Sequence, residues 1–120
     1  MVFQERTYSV LIVTASDSFT EKIMPLLPVT DYWPVTTAHS NSEARRRIAE
    51  AAFDIVLINA PLPDDFGMRL AIDICTGSGA GVLLMVRSDQ FDDIYARVVG
   101  YGVLTLSRPT SVQMVAQNLR

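Results

Sequence analysis

The sequence predicts a three-layer, doubly wound α/β domain built on a five-stranded parallel sheet. Two observations carry that expectation. Five short apolar runs recur along the 120 residues, and most show no polar–apolar alternation, the pattern of strands buried on both faces of a sheet. Between them lie segments whose apolar residues return at helical spacing, so strand and helix alternate. Strands alternating with helices imply parallel pairing through right-handed crossovers, with helices on both faces. Hydrophobic residues make up 49% of the chain and charged residues 19%, enough apolar content for one folded core in a single domain spanning 1–120.

Taken in order, Tyr8–Val13 (YSVLIV) is the first strand, ended by Thr14-Ala15-Ser16-Asp17. Ser16 or Asp17 caps a helix holding Phe19, Ile23, Leu26 and Leu27, which Pro25 and Pro28 end early or kink. Pro34–Ala38 is a shorter second strand, placed nearer an edge because a proline opens it. Asn41 is expected to cap a helix over Ser42–Ala52 with Ala44, Ile48, Ala51 and Ala52 as its apolar stripe; Arg45, Arg46 and Arg47 read as its solvated face, balanced by Glu43 and Glu50. Phe53–Gly67 (FDIVLINAPLPDDFG) holds the third strand, Ile55–Ile58, which ends on Asn59 and runs into a loop shaped by prolines and a glycine. Helix 66–75 follows, then a turn, 76–81, whose glycines precede a strand. Phosphate-cradling loops follow a strand and open a helix, so these glycines form a connector. Val82–Val86 (VLLMV) is the fourth strand, Asp89–Val99 a helix, Gly102–Leu106 (GVLTL) the fifth strand. A last helix from Thr110 or Ser111 carries Val112, Val115 and Leu119 and reaches Arg120 with no stop signal, as expected of the amino-terminal part of a longer regulator.

The net charge of −3 argues against this segment gripping a nucleic-acid backbone by itself. A single cysteine, Cys75, makes no internal disulfide and fits a reducing compartment. Residues 1–7 lack the basic-then-apolar form of a signal peptide, and no run approaches the roughly 18 apolar residues of a membrane span. A cytoplasmic setting without membrane contact is expected. His39, after the second strand, reads as a turn residue, and Cys75 as a buried small apolar group.

In open α/β sheets ligands bind at the carboxyl edge, and the residue presented there by the third strand is the amide Asn59. With Pro63 and Gly67 placed after it, and Arg108-Pro109 after the fifth strand, the whole chain resembles a response-regulator receiver domain (CheY-like). The resemblance implies the flavodoxin-like fold, sheet order 2-1-3-4-5, with five helices. It also implies where the family's chemistry would sit. The phosphoacceptor aspartate falls on Asn59, the acidic magnesium-binding pair on Thr14 and Ala15, the hydroxyl residue and its small neighbour on Arg87 and Ser88, the switch aromatic on Thr105, and the lysine of a usually cis Lys-Pro on Arg108. Pro63, Gly67 and Pro109 keep the loop shape. Every chemical position departs from the pattern. Asn59 has no carboxylate nucleophile. Thr14 and Ala15 remove charge where Mg²⁺, which favours hard carboxylate oxygens, would bind, so no metal is expected in that site. Arg108 keeps the lysine's charge in a planar fork. Arg87 either adds charge over the pocket or reaches solvent. Asp64 and Asp65 lie in the loop within reach of a metal, but loop solvation, with Asp65 capping the third helix, is the expectation.

The chain is therefore expected to be a non-enzymatic pseudo-receiver, a phosphorylation-independent interaction module. Its partner would be another protein or a second copy, met through the last two helices and fifth strand with Tyr95 and Tyr101. VLIVTASDSF, INAPLPDDFG and GVLTLSRPTS resemble the antitermination (ANTAR-type) response regulators, which implies an RNA-binding output domain beyond Arg120. The alternative is a sensor of a small ligand or anion, or an unorthodox phosphoacceptor, at the same edge. A flavin- or nucleotide-binding enzyme is disfavoured because no glycine-rich turn follows the first strand.

Overall fold

Parallel strands that are apolar on both sides need helices on both sheet faces, and the computed structural model, which describes residues 6–108, meets that need. The elements are β1 (Tyr8–Val13), α1 (Asp17–Ile23), β2 (Tyr32–Ala38), α2 (Asn41–Glu50), β3 (Ile55–Asn59), α3 (Met68–Ser78), β4 (Gly81–Arg87), α4 (Phe91–Val98) and β5 (Leu104–Arg108). The sheet order is β2-β1-β3-β4-β5 and every pairing is parallel. Four α-helices lie among the described residues; Pro109 and the helix expected after it fall outside them.

Side-chain alternation splits the core into two layers. Leu11, Val13, Val56, Ile58, Leu84 and Val86 face α2, α3 and α4 through Ala44, Leu70, Ile74, Ile94 and Val98. Val10, Ile12, Leu57, Leu83, Met85 and Leu106 form the opposite layer with Ile23 and Leu27. β2 is an edge strand, as its proline implies, and the β1–β2 register slips between Tyr8 and Val10, beside Trp33 and Pro34. The peptide bonds Trp33–Pro34 and Ala60–Pro61 are cis.

Several boundaries differ from the sequence reading. The cap of α2 is Ser40, not Asn41: the Ser40 hydroxyl accepts from the Glu43 amide at 3.1 Å, and Asn41 already belongs to the first turn. The third helix starts at Met68, not Phe66, because Gly67 sits at φ 113°, a conformation that L side chains avoid. It then runs through Thr76 and Gly77 to Ser78 and stops at Gly79, φ 75°, so half of the expected turn is helix. Asp65 does not cap α3; its Oδ1 accepts from the Gly67 amide at 3.2 Å. Gly102, read as strand, is a left-handed turn residue at φ 89° that postpones β5 to Leu104. Ser16 does cap α1, accepting from the Phe19 amide at 3.1 Å, and Pro25 lies in a short 3₁₀ turn, Met24–Leu26, that finishes that helix. Cys75 is half-buried, not fully buried, and its thiol lies 3.1 Å from the Tyr101 carbonyl oxygen.

Candidate functional site

The carboxyl ends of β1, β3, β4 and β5 place one group of polar residues together. Alternation from Leu57, Met85 and Leu106 carries Asn59, Arg87 and Arg108 onto the same sheet face. The β4–β5 register sets Arg87 beside Arg108, and the β3–β4 register sets Asn59 beside Met85. Arg108 is long enough to reach across Met85 to Asn59.

The contacts there form a closed relay. Thr14, 2% exposed, holds the turn after β1: its amide donates to the Ala38 carbonyl and its hydroxyl accepts from the Ser16 amide at 3.0 Å. The same hydroxyl accepts from Asn59 Nδ2 at 3.0 Å. Asn59 Oδ1 accepts from Arg108, whose same nitrogen also donates to the Ala60 carbonyl. Ala60 is pinned in turn by its amide, which donates to the Met85 carbonyl at 2.9 Å. The amide of Asn59 is thus satisfied at both ends, with the guanidinium on its oxygen and the threonine on its nitrogen. Burial, and then the proximity of Arg87, depress the pKa of Arg108; a guanidinium remains charged at any physiological pH.

Other expected site residues lie outside this relay. Arg87 turns away and makes a bidentate ion pair with Asp89, 3.0 and 2.7 Å, which raises its pKa. Ser88 opens a short exposed 3₁₀ turn, and Ala15 is exposed. Thr105 is 5% exposed but stands on the opposite sheet face from Leu106 and Arg108, towards α4. Pro63 is exposed, while Gly67 is packed so closely that a Cβ there would lie 3.2 Å from Ile58 Cγ2. Sequence reasoning missed the Ala60 carbonyl as an acceptor and Asp89 as the partner of Arg87. An acid two residues after the arginine was the available signal.

The donor set does not suit Mg²⁺. The oxygens at the position are the Thr14 hydroxyl, which accepts two hydrogen bonds, and the Asn59 side-chain and Ala60 backbone carbonyls, which hold a guanidinium. None carries charge, and the adjacent Arg108 repels a dication. Among the described residues no three His, Cys, Asp or Glu side chains come together to hold a metal ion. Cavities of about 340 and 430 Å³ open between α2 and α3, and none of their lining residues belongs to the Asn59 relay.

Comparison with solved structures places this architecture. The signal receiver domain of an HD domain-containing protein from Pseudomonas fluorescens Pf-5 superposes with a TM-score of 0.82 at 22% identity, over 100% of this chain and 88% of that one. The chemotaxis response regulator CheY4 of Vibrio cholerae gives 0.77 at 20% identity, covering 95% and 97%. The beryllofluoride-activated NtrC4 receiver domain, solved as a dimer, gives 0.75 at 22%, covering 92% and 93%. The fold is that of a receiver domain. No family model and no curated protein matches the sequence. Within the receiver fold, Asn59 stands at the end of β3 and Arg108 at the end of β5. No described helix is long and apolar enough to cross a membrane.

Proposed function

We propose that this chain is a pseudo-receiver in a signal-transduction regulator, one that works without phosphoryl transfer. The observation that carries the proposal is the guanidinium of Arg108 seated on Asn59 Oδ1 and the Ala60 carbonyl. In a phosphorylated receiver a metal ion and an acyl phosphate supply charge at this edge. Here a permanent side-chain cation and a neutral amide fill it, and neither depends on a kinase. With no carboxylate at the end of β3 there is no nucleophile for an acyl phosphate, and the domain is not an enzyme.

Its work is then interaction, in a cytoplasmic setting. Tyr95, Val99 and Tyr101 are 44%, 45% and 51% exposed along α4 and the turn after it, and Tyr95 and Val99 share a helix face at i, i+4. We assign this face to a partner protein or a second copy, and RNA binding of the antitermination type to an output segment beyond Arg120. The resemblance in VLIVTASDSF, INAPLPDDFG and GVLTLSRPTS is what supports the output assignment.

The test is incubation with acetyl phosphate and Mg²⁺, followed by intact-mass measurement and sedimentation. The proposal expects no mass gain and an oligomeric state that is the same with and without the phosphodonor. A phosphoryl adduct, or a phosphodonor-dependent change in sedimentation, contradicts it.

A further inference from the structure

The loop that follows Asn59 at the end of β3 is tied to a different helix from the one it leads into. Asp64 spreads its carboxylate over the start of α2: Oδ1 accepts from the Asn41 amide at 2.8 Å and Oδ2 from the Ser42 amide at 3.0 Å. The first amides of a helix have no partner within it and favour negative charge. The rest of that end is already served. Ser40 takes the Glu43 amide, and Glu43 reaches back to the His39 amide at 2.7 Å. Asp64 therefore completes the cap from 22 and 23 residues away in sequence.

On the loop side the anchoring is uneven. Ala60 is fixed by Met85 and Arg108, and Leu62 and Gly67 are buried against the core. Pro63, Asp64 and Asp65 are exposed. Among the described residues Asp65 bonds only within the loop, through its carbonyl to the Leu62 amide at 2.9 Å and its Oδ1 to the Gly67 amide. Among the described residues, the hydrogen bonds joining the outer half of the loop to another element are those of Asp64.

We propose that Asp64 is a latch that couples the conformation of the β3–α3 loop, and with it the Asn59 relay, to the amino end of α2. A partner or ligand that displaces the outer loop must release the Asn41 and Ser42 amides, and one that engages those amides must free the loop. Such a coupling is reciprocal. It rests on the geometry of Asp64 and not on the fate of phosphoryl transfer.

Amide exchange measured by NMR on wild type, Asp64→Ala, Asp64→Asn and Asp64→Glu tests it. In Asp64→Ala the Asn41 and Ser42 amides are expected to exchange roughly fivefold faster or more, as for a lost helix cap. The Leu62 and Gly67 amides and the Asn59 side-chain NH₂ signals should shift in the same variant, while α4 stays unchanged. Asp64→Asn, with one acceptor oxygen, should fall between, and Asp64→Glu should restore part of both effects. Acidifying the wild type provides a second reading that needs no variant. The two amides hold the Asp64 carboxyl below its usual range, so the α2 and loop signals should move with one common midpoint. His39 in the turn before α2, Glu43 and Arg45 on α2, Asp65 in the loop and Asp73 on α3 are the neighbouring titratable and charged groups, and Asp64→Asn separates their effect from that of Asp64. Faster exchange at Asn41 and Ser42 with an unchanged loop and Asn59, or two distinct midpoints, would reduce Asp64 to an ordinary cap and overturn the latch.

Discussion

Replacing Thr105 by valine should stabilise the protein. The side chain is 5% exposed on β5, paired with Leu84 across the strand, and it shares a face with Val103. Its hydroxyl has no hydrogen-bond partner among the described residues. A buried polar group left unpaired costs about 1–3 kcal/mol, and valine keeps the branched shape while removing that group and suiting a strand. The expected gain is about 1–2 kcal/mol, or roughly 4–8 °C in Tm for a domain of this size. Urea unfolding followed by far-UV circular dichroism reads it as a raised midpoint at unchanged m-value. Thr105→Ser, which keeps the hydroxyl and drops a methyl, should instead lose about 1 kcal/mol. A lowered midpoint for Thr105→Val at constant m would refute the reasoning, because the hydroxyl would then have a partner worth keeping.

Three further outcomes follow from the same structure. Gly67→Ala forces an L side chain to φ 113° and sets its Cβ 3.2 Å from Ile58 Cγ2, so a loss of about 1–3 kcal/mol is expected in the same urea assay. Asp54 accepts from the Ser9 amide at 2.9 Å and pairs with Arg6 at 3.1 Å. Its pKa is lowered, chiefly by the Ser9 amide. A depressed folded-state value means that its contribution is present above the unfolded aspartate value, about 3.9, and is lost as pH falls through the folded one. Asp54→Asn should therefore flatten the acid side of the stability–pH curve, measured by thermal melts. Asn59→Asp should place a carboxylate on Arg108 and form an ion pair in place of a metal site, giving no acyl phosphate with acetyl phosphate and Mg²⁺ by intact mass; adduct formation would show that the missing aspartate alone disabled the pocket.

Much of the fold was legible because the signals were dense. Tyr8–Val13 appears as a strand with the bounds read from its run of apolar and β-branched residues, and β3 needed only the run up to Asn59. What failed was local. Ser40 and Asn41 are adjacent residues that both cap well, and only the direction in which the chain leaves β2 selects Ser40. The glycines before β4 look like a loop until Gly77 proves to be helical and Gly79 the stop. Of the site, the position of Asn59 could be read from its place after a buried strand, and the positive charge at Arg108 from its place after the fifth; the contact between them comes from the structure. The Arg87–Asp89 fork had a signal in the acid two residues on, but the hold of Asp64 on α2 had none, because a partner 23 residues away depends on backbone direction that the sequence does not display.

The central claim, that Arg108 and Asn59 have replaced the metal-and-phosphate chemistry of this edge, is tested most directly by NMR titration of the wild-type protein with Mg²⁺ and then beryllofluoride. Signals of Thr14, Asn59, Ala60 and the Arg108 guanidinium are expected to show no saturable shift with either addition. Saturable Mg²⁺ shifts at Thr14 and Asn59, followed by a new set of signals on adding beryllofluoride, would contradict the account.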